Sequence, residues 1–452
     1  MPYEGEFANY GPLRRLVESE RVNKLLGSYK VRNNSDQMEI LQTLSPIKIQ
    51  PSDWTPKKLI AIDGSHAEVN IKNGFPGAEA SYVTVASVIL DVEKIRQLDQ
   101  QRPVSPKEFR TTEKAESIDC ALPGCNVITE GELSAKASLR KSIFEVFGSV
   151  RMLSEGESLL DTYEALLKYK PVTKRIQECP YEDCSKDYQR GECQYTCPCD
   201  LSRSLYSTDA LRIHERMNPA GTNGAIFAEI MQVWERVWVV HILRSLEAKN
   251  WLSSLRRLAI VLDGPLAVFG QPAWISQAIC QELSRINAIA KKKTGGKDIL
   301  LIGVEKTGTF VQHFEDLDRQ EDRGYGAFPC QSVALLSDSY IKRNIIFSDS
   351  EKPYGDATYF GRKFFYKTKS GARIVATLPL LTDDHKDWER AEPSQYPRLS
   401  DAVWLLDQLI SSRFPNALAP LVSANAEAAI PLRLGSKVLE SLAKELMAED
   451  RA

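Results

Sequence analysis

Two short apolar stretches that each run into Asp-Gly decide the predicted fold: LIAIDGSH at residues 59–66 and LAIVLDGPL at residues 258–266. Each stretch predicts a buried strand that ends at its Asp-Gly pair. A simple turn also explains such an ending, because Asp and Gly both favour turns. If the two strands are neighbours in a sheet, however, Asp63 and Asp263 emerge at the same edge, where ligands gather in open α/β sheets.

The rest of the chain predicts further strands and long amphipathic helices. SYVTVASVILD at 81–91 should form a hairpin with the first strand, and DILLIGV at 298–304 has the continuous apolar character of a strand covered on both faces. Helical spacing runs through 222–246, and helices are also expected at 130–170 and near 400. We therefore expect an α/β fold with a mixed sheet flanked by helices. Residues 1–56 should be an N-terminal helical segment, 57–435 the core with a Cys-rich insertion at 175–215, and 436–452 a C-terminal helix.

Composition restricts the class of protein. A hydrophobic content of 43%, 26% charged residues and a net charge of −2 are typical of a soluble globular protein without a global basic field. The first residues lack the apolar region of a secretory signal, and no run of eighteen apolar residues occurs, so a cytoplasmic protein without a membrane span is expected. The absence of G-x-G-x-x-G and Walker motifs disfavours a nucleotide-dependent small-molecule enzyme.

The two aspartates favour a site for divalent cations. Two carboxylates a few ångströms apart repel unless a cation, a shared proton or separation relieves them. Mn²⁺ and Mg²⁺ prefer oxygen ligands, and a pair of ions roughly 4 Å apart can hydrolyse a phosphodiester. A third ligand should come from the long helix before the second strand, with Glu235 preferred over Glu229. From the residues alone, a metal site and two exposed turn aspartates both stay open.

A resemblance to a known family decides between them. The ordered series IAIDGS, IVLDGPL, ILLIGVEKTG, LLSD, FFYKT and FPNALAPLVSANAEAAI resembles the NurA nucleases over roughly residues 57–435. The resemblance implies a ribonuclease-H-like mixed sheet in which Asp63, Asp263 and Glu235 bind Mn²⁺ or Mg²⁺. It also implies a homodimeric DNA nuclease, acting as a 5′–3′ exonuclease or single-strand endonuclease with the hexameric DNA translocase HerA. The resemblance implies one of two biological roles for this nuclease, DNA end resection in repair or anti-phage defence.

One position departs from the family pattern. NurA sequences usually carry a histidine near the closing motif that joins the metal site, whereas here the corresponding residue is Asn425. An amide oxygen can bind Mg²⁺, but it cannot titrate as imidazole does. This departure keeps a second hypothesis open, in which the protein is a catalytically weak adaptor that binds the motor ATPase and DNA without cutting. His66, beside Asp63, could compensate, although a lone histidine of this kind is more often simply hydrogen-bonded.

Basic residues near the predicted strands are candidates for contacts with nucleic acid. Several have aromatic neighbours, which suits a channel for single-stranded DNA, although such runs are often solvated surface. The candidates are Lys306, Lys342, Arg343, Arg362 and Lys363, with Asp338 as a further residue of the site region.

Five cysteines are crowded into one polar segment, CPYEDCSKDYQRGECQYTCPC at 179–199. Thiolates this close can share a tetrahedral Zn²⁺, which would order a segment too polar to have its own core. We predict a structural zinc site made by four of Cys179, Cys184, Cys193, Cys197 and Cys199. His214 is a possible substitute ligand, although a position on a helix surface is the more usual explanation for such a residue. Reduced thiols and an iron–sulfur cluster are the alternatives.

Overall fold

The computed structural model describes residues 11–29, 37–50, 52–72, 77–97, 113–171, 176–181, 184, 187–189, 191–320, 324–410 and 418–429. The chain divides into two compact units, residues 1–43 and 44–452. The described helices of the first unit are α1 (Gly11–Glu18), α2 (Glu20–Ser28) and α3 (Gln37–Leu44), which ends at the boundary. The predicted C-terminal helix at 436–452 lies outside the described residues.

The second unit contains all the strands described, and its longest helices follow the predicted spacing. Its helices are α4 (Val92–Gln97), α5 (Ala135–Ser149), α6 (Leu159–Leu167), α7 (Gly224–Ala248), α8 (Ile275–Thr294), α9 (Thr309–Asp318), α10 (Asp338–Ile341), α11 (Leu399–Leu409) and α12 (Ala419–Ala428). Its strands are β1 (Ile47–Lys48), β2 (Lys58–Lys72), β3 (Ala78–Asp91), β4 (Glu113–Pro123), β5 (Ile176–Glu178), β6 (Asp187–Gln189), β7 (Gln194–Cys197), β8 (Asp200–Tyr206), β9 (Leu258–Asp263), β10 (Leu301–Glu305), β11 (Arg319–Gln320), β12 (Gly324–Tyr325), β13 (Ser332–Leu335), β14 (Gly361–Lys367) and β15 (Arg373–Pro379).

Nine strands form one mixed sheet in the order β1-β13-β14-β15-β10-β9-β2-β3-β4. Strand β9 lies between β2 and β10 and runs parallel to both, and the other pairs are antiparallel. Three two-stranded sheets lie outside it: β5-β6, β7-β8 and β11-β12. The predicted α/β class and the large mixed sheet are therefore confirmed.

Helices cover both faces of the sheet, and the period of two in the strands explains why. Ile60 and Ile62 pack with residues of α5, α6, α7 and α8, whereas Leu59 and Ala61 pack with α11 and α12. Successive strand residues point to opposite faces, so a continuous apolar run is required where both faces are covered. Within the described residues, no helix is both long and apolar enough to cross a membrane.

The expectation that the first strand stops at Asp63 is wrong. β2 continues to Lys72 and remains paired with β3, with Asp63 opposite Ala86 and Gly64 opposite Val85. On its other side, β2 pairs with β9 only from Lys58 to Ile62. The sheet thus opens beside Asp63 because the neighbour β9 ends, while β2 itself goes on.

Candidate active site

Asp63 and Asp263 meet where β9 ends. Ile62 and Leu262 are partners in the parallel register, so the two aspartates are the next residues on adjacent strands. The Lys306 ammonium lies between them, with its Nζ atom 3.4 Å from Asp63 Oδ2 and 3.0 Å from Asp263 Oδ2. The two carboxylates therefore converge on one cationic group, as the sequence predicted for neighbouring strands.

The environment of Asp63 opposes its ionisation. The residue is 3% exposed. Burial raises the pKa of Asp63 to about 7, repulsion from Asp263 adds to the rise, and Lys306 counteracts it. An ionised carboxylate in this position needs a nearby positive charge, which is the condition that a bound cation satisfies.

Glu235 approaches the same site from α7, which packs across β2 and β3. Its side chain is buried and forms an ion pair with Arg236. A Cβ atom added at Gly64 would overlap the Glu235 carboxylate and lie 2.8 Å from Met231 Cγ. Gly64 is part of the extended strand, so its function here is to leave space for Glu235 next to Asp63.

Gly264 and Arg236 shape the loop that follows Asp263. Gly264 has a φ of +80°, a left-handed conformation that glycine adopts readily. The buried Arg236 guanidinium donates to the main-chain carbonyls of Asp263 at 3.2 Å, Pro265 at 3.4 Å and Ala267 at 3.3 Å. Burial lowers the pKa of Arg236 to about 10, against the opposing effect of the two aspartates. Arg236 thereby fixes the backbone that positions Asp263.

These residues border one cavity of about 670 Å³. Asp63, Asp263, Glu235 and Asn425 all line it, and so does Glu305 at the end of β10. Burial raises the pKa of Glu305, and the Lys363 ammonium lies 3.0 Å from its Oε2 atom. The structure thus brings together the four predicted oxygen ligands and adds a further, half-buried carboxylate.

The donor set fits a hard divalent cation. Carboxylate and amide oxygens are the ligands that Mg²⁺ and Mn²⁺ prefer, and both aspartates already direct Oδ2 at one ammonium. Within the described part of the chain, the only three His, Cys, Asp or Glu ligand atoms that all lie within 4.8 Å of one another belong to cysteines. The carboxylates of this cavity are therefore spaced more widely than that.

Comparison with protein families assigns the chain. The NurA domain model matches residues 57–429. The chain belongs to the NurA family. Two solved structures are similar to it: the NurA nuclease from Sulfolobus solfataricus, at 11% identity with a TM-score of 0.38 and 98% of each chain covered, and NurA with manganese, at 11% identity with a TM-score of 0.24, covering 91% of this chain and 94% of the other. No curated protein matches the chain.

Sequence reasoning missed two charged residues of this NurA site, Arg236 and Glu305. Arg236 follows Glu235 inside an otherwise apolar helical stretch. Because charged residues are rarely buried unless they are paired, this adjacent pair could have indicated a buried ion pair. Glu305 is the last residue of a buried strand, the position type that singled out Asp263. The side-chain contacts of both residues depend on neighbours that are distant in sequence.

The basic residues predicted to contact nucleic acid differ in their surroundings. Lys306 and Lys363 line the cavity, but Lys363 is buried, and its Nζ atom lies 3.5 Å from the centre of the Phe310 ring. Lys342 pairs with Asp338 at 2.6 Å, and Arg343 is exposed. Arg362 lies outside the cavity lining and is 2% exposed. Its guanidinium donates to the carbonyls of His385, Asp387 and Arg390, so no DNA contact is proposed for it.

The weaker candidates for the metal site have other surroundings. Glu229 accepts a hydrogen bond from the Gln271 amide at 2.7 Å and pairs with Arg216 at 3.0 Å. His66 is three residues from Asp63 along β2, which directs the two side chains to opposite faces. Neither Glu229 nor His66 is among the residues that line the cavity.

The remaining candidates also have structural contacts. Asp338 accepts a hydrogen bond from the Tyr354 amide at 2.5 Å in addition to its pair with Lys342. His214 is buried in a short 3₁₀ helix, and burial lowers its pKa to about 4.

Four of the five clustered cysteines lie together. The Sγ atoms of Cys179 and Cys197 are 3.6 Å apart, those of Cys184 and Cys197 4.0 Å, and those of Cys184 and Cys199 3.0 Å. Cys193 has different neighbours: its amide donates to Glu164 Oε1 at 2.7 Å, and its thiol lies 3.6 Å from Glu164 Oε2.

Proposed function

We propose that the protein is a metal-dependent deoxyribonuclease that hydrolyses DNA phosphodiesters with Mn²⁺ or Mg²⁺. Asp63, Asp263 and Glu235 are the proposed ligands, with Asn425 as a weaker one. The observation that carries the proposal is the convergence of both aspartate Oδ2 atoms on the Lys306 ammonium. The family assignment supports DNA as the substrate.

Divalent cations in such a site activate water and neutralise the charge that develops on the phosphate oxygens. The protein residues contribute position and charge. Arg236 holds the loop that carries Asp263, and Gly64 lets Glu235 approach β2. Both effects fix carboxylates before DNA arrives, which avoids reorganisation during the reaction.

We propose that Lys306, which pairs with the aspartates, also binds a phosphate of the DNA. While no cation is bound, its ammonium contacts both aspartates. If the aspartates held a divalent cation, the Lys306 ammonium would be available for a phosphate oxygen. The Lys306 side chain is 29% exposed and lines the cavity, so a phosphate there is within its reach. Lys306 would then hold the DNA backbone beside the attacking water.

Aromatic side chains of the cavity suit unpaired bases. Phe269 is 38% exposed although it is large and apolar, and its ring meets that of Tyr359 edge-to-face at 5.6 Å. Both residues line the cavity with the aspartates. Stacking on aromatic rings holds bases with little sequence preference, so we propose single-stranded DNA or a frayed DNA end as the form that enters.

The experiment that tests this function measures cleavage of labelled single-stranded and double-stranded DNA with Mn²⁺, Mg²⁺ or EDTA. We expect cleavage with at least one of the two metals, none in EDTA, and a loss of about 100-fold or more in Asp263→Asn. Asp349→Asn, at an exposed position outside the cavity lining, is the matched control for the removed negative charge. Full activity of Asp263→Asn would contradict the site assignment.

The resemblance to NurA also supports finer proposals. These are a HerA-type hexameric translocase as partner, a homodimeric state, 5′–3′ exonuclease or single-strand endonuclease action, and a role in DNA end processing or anti-phage defence. End-labelled substrates distinguish the two modes of cutting, because an exonuclease releases mononucleotides from one end first.

The second candidate function is a NurA-like adaptor that binds the motor and DNA without cutting. Asn425 favours it, since an exposed amide lines the cavity where the family pattern has a titratable histidine. The same cleavage assay, repeated with the motor ATPase added, separates the two functions. An adaptor leaves every substrate intact in all mixtures while still retarding DNA in a binding assay.

A further inference from the structure

We propose that Cys179, Cys184, Cys197 and Cys199 bind one structural Zn²⁺ ion and that Cys193 is not a ligand. The sequence left open which of the five cysteines is spare. The side-chain geometry separates them. The proposal does not depend on the nuclease function.

The sulfur positions fit a tetrahedral ion. Zn–S bonds of about 2.3 Å place the sulfurs of a tetrahedral site about 3.8 Å apart. The distances from Cys197 Sγ to the sulfurs of Cys179 and Cys184 are 3.6 Å and 4.0 Å. The sulfurs of Cys179, Cys184 and Cys197 all lie within 4.8 Å of one another. Cys199 lies outside this group of three, and its sulfur is 3.0 Å from that of Cys184. A disulfide would require about 2.05 Å.

A main-chain amide contacts the central sulfur of the cluster. Cys199 N donates to Cys197 Sγ at 3.4 Å, across the tight connection between β7 and β8. Hydrogen bonds of this kind to a ligand atom orient it in a metal site. The connection therefore contributes two sulfurs and one amide to the site.

Cys193 is directed elsewhere. Its thiol and its amide both face the Glu164 carboxylate on α6, and the residue is exposed. Cys193 thus occupies a position that disfavours metal binding.

The segment has little apolar material to order it otherwise. Its buried cluster consists of Cys179, Cys197 and Leu205, with Tyr181, Cys184 and Tyr195 packed against it. In small segments of this type, a metal ion takes the place of a hydrophobic core.

The site is connected to the helical layer by Arg140 of α5. Arg140 forms a buried ion pair with Asp209 at 2.7 Å and donates to the Ser204 carbonyl at 3.0 Å. Its guanidinium carbon lies 4.9 Å from the centre of the Tyr181 ring, between the first two ligands in sequence. Zinc binding is therefore expected to stabilise the contact between this segment and the core.

The test is metal analysis of the purified full-length protein by mass spectrometry. We expect about one Zn²⁺ per chain in the wild type and in the matched control Cys193→Ser. Cys179→Ser, Cys184→Ser, Cys197→Ser and Cys199→Ser should each lose most of the metal. Cys199→His should retain it, because imidazole replaces thiolate in Cys₃His sites.

A second measurement covers variants that fail to fold. Co²⁺ added to the metal-depleted wild type should give the absorption bands of tetrahedral thiolate coordination, and Zn²⁺ should displace them. Wild type without bound metal and without these bands would overturn the proposal. So would loss of zinc in Cys193→Ser, acid-labile sulfide in the purified protein, or a Cys184–Cys199 disulfide in unreduced peptides.

Discussion

Asp63-Gly64 and Asp263-Gly264 are identical dipeptides on adjacent strands, yet each glycine is required for a different reason. Gly64 lies inside a continuing strand, and an added Cβ would overlap the Glu235 carboxylate. Gly264 ends a strand with a φ of +80°, and the nearest atom to an added Cβ is Arg236 Nη2 at 2.9 Å. Gly64 thus provides space for the Glu235 carboxylate, and Gly264 provides a turn that exposes the Asp263 carboxylate.

The strongest test of this difference is a pair of double-mutant cycles. Gly64→Ala should lower the free energy of unfolding by about 1–3 kcal/mol, since it overpacks a buried contact. It should also reduce DNA cleavage by about 100-fold, because Glu235 is displaced. Adding Glu235→Ala should recover much of the stability without recovering cleavage. The measurements are chemical denaturation and the labelled-DNA assay.

Gly264→Ala is the matched variant. An alanine in the left-handed conformation should lower the free energy of unfolding by about 1–2 kcal/mol. Adding Glu235→Ala should not restore this loss, because the strain lies in the backbone conformation. If Glu235→Ala restores the stability of both glycine variants equally, or of neither, the two glycines are not required for different reasons.

Asp63 of the pair should make the stability of the protein depend on pH. The folded pKa of Asp63, about 7, exceeds the ordinary 3.8, so the folded metal-free protein binds more protons between these values. Stability due to Asp63 is therefore lost as pH rises from about 4 to 7. Asp63→Asn removes this ionisation. Its free energy of unfolding should exceed that of the wild type by about 1–3 kcal/mol at pH 8 and by less at pH 5.

Urea denaturation of both proteins in EDTA at pH 5 and pH 8 provides the comparison. Other titrating groups, such as Glu79, are common to both proteins and cancel in the difference. A stability difference between the two proteins that does not change with pH would contradict the assigned shift.

Asn425→His should have the smallest effect, a rise of about 2- to 10-fold in Mn²⁺-dependent cleavage, since imidazole adds a stronger ligand beside Asp63. Glu427→His, exposed on the same helix but outside the cavity lining, is the control. Cleavage rates at saturating Mn²⁺ provide the readout. An unchanged rate in Asn425→His would remove Asn425 from the proposed ligand set.

Sequence reasoning predicted the convergence of Asp63 and Asp263, because a parallel pair of strands places their residues in register. It could not predict that β2 continues past Asp63. Strand termination depends on the partner: β3 stays paired with β2 beyond Gly64, whereas β9 leaves it. Local composition contains no information about which neighbour ends first.

The sequence by itself determined the α/β class, the mixed sheet and the NurA family, since apolar periodicity and ordered motifs are properties of the chain alone. Only the tertiary structure decided which charged groups meet. The pairing of Lys306 with both aspartates, of Glu305 with Lys363 and of Cys193 with Glu164 joins residues distant in sequence. Electrostatic and hydrogen-bonding contacts act over a few ångströms, so they exist only once packing has brought these elements together.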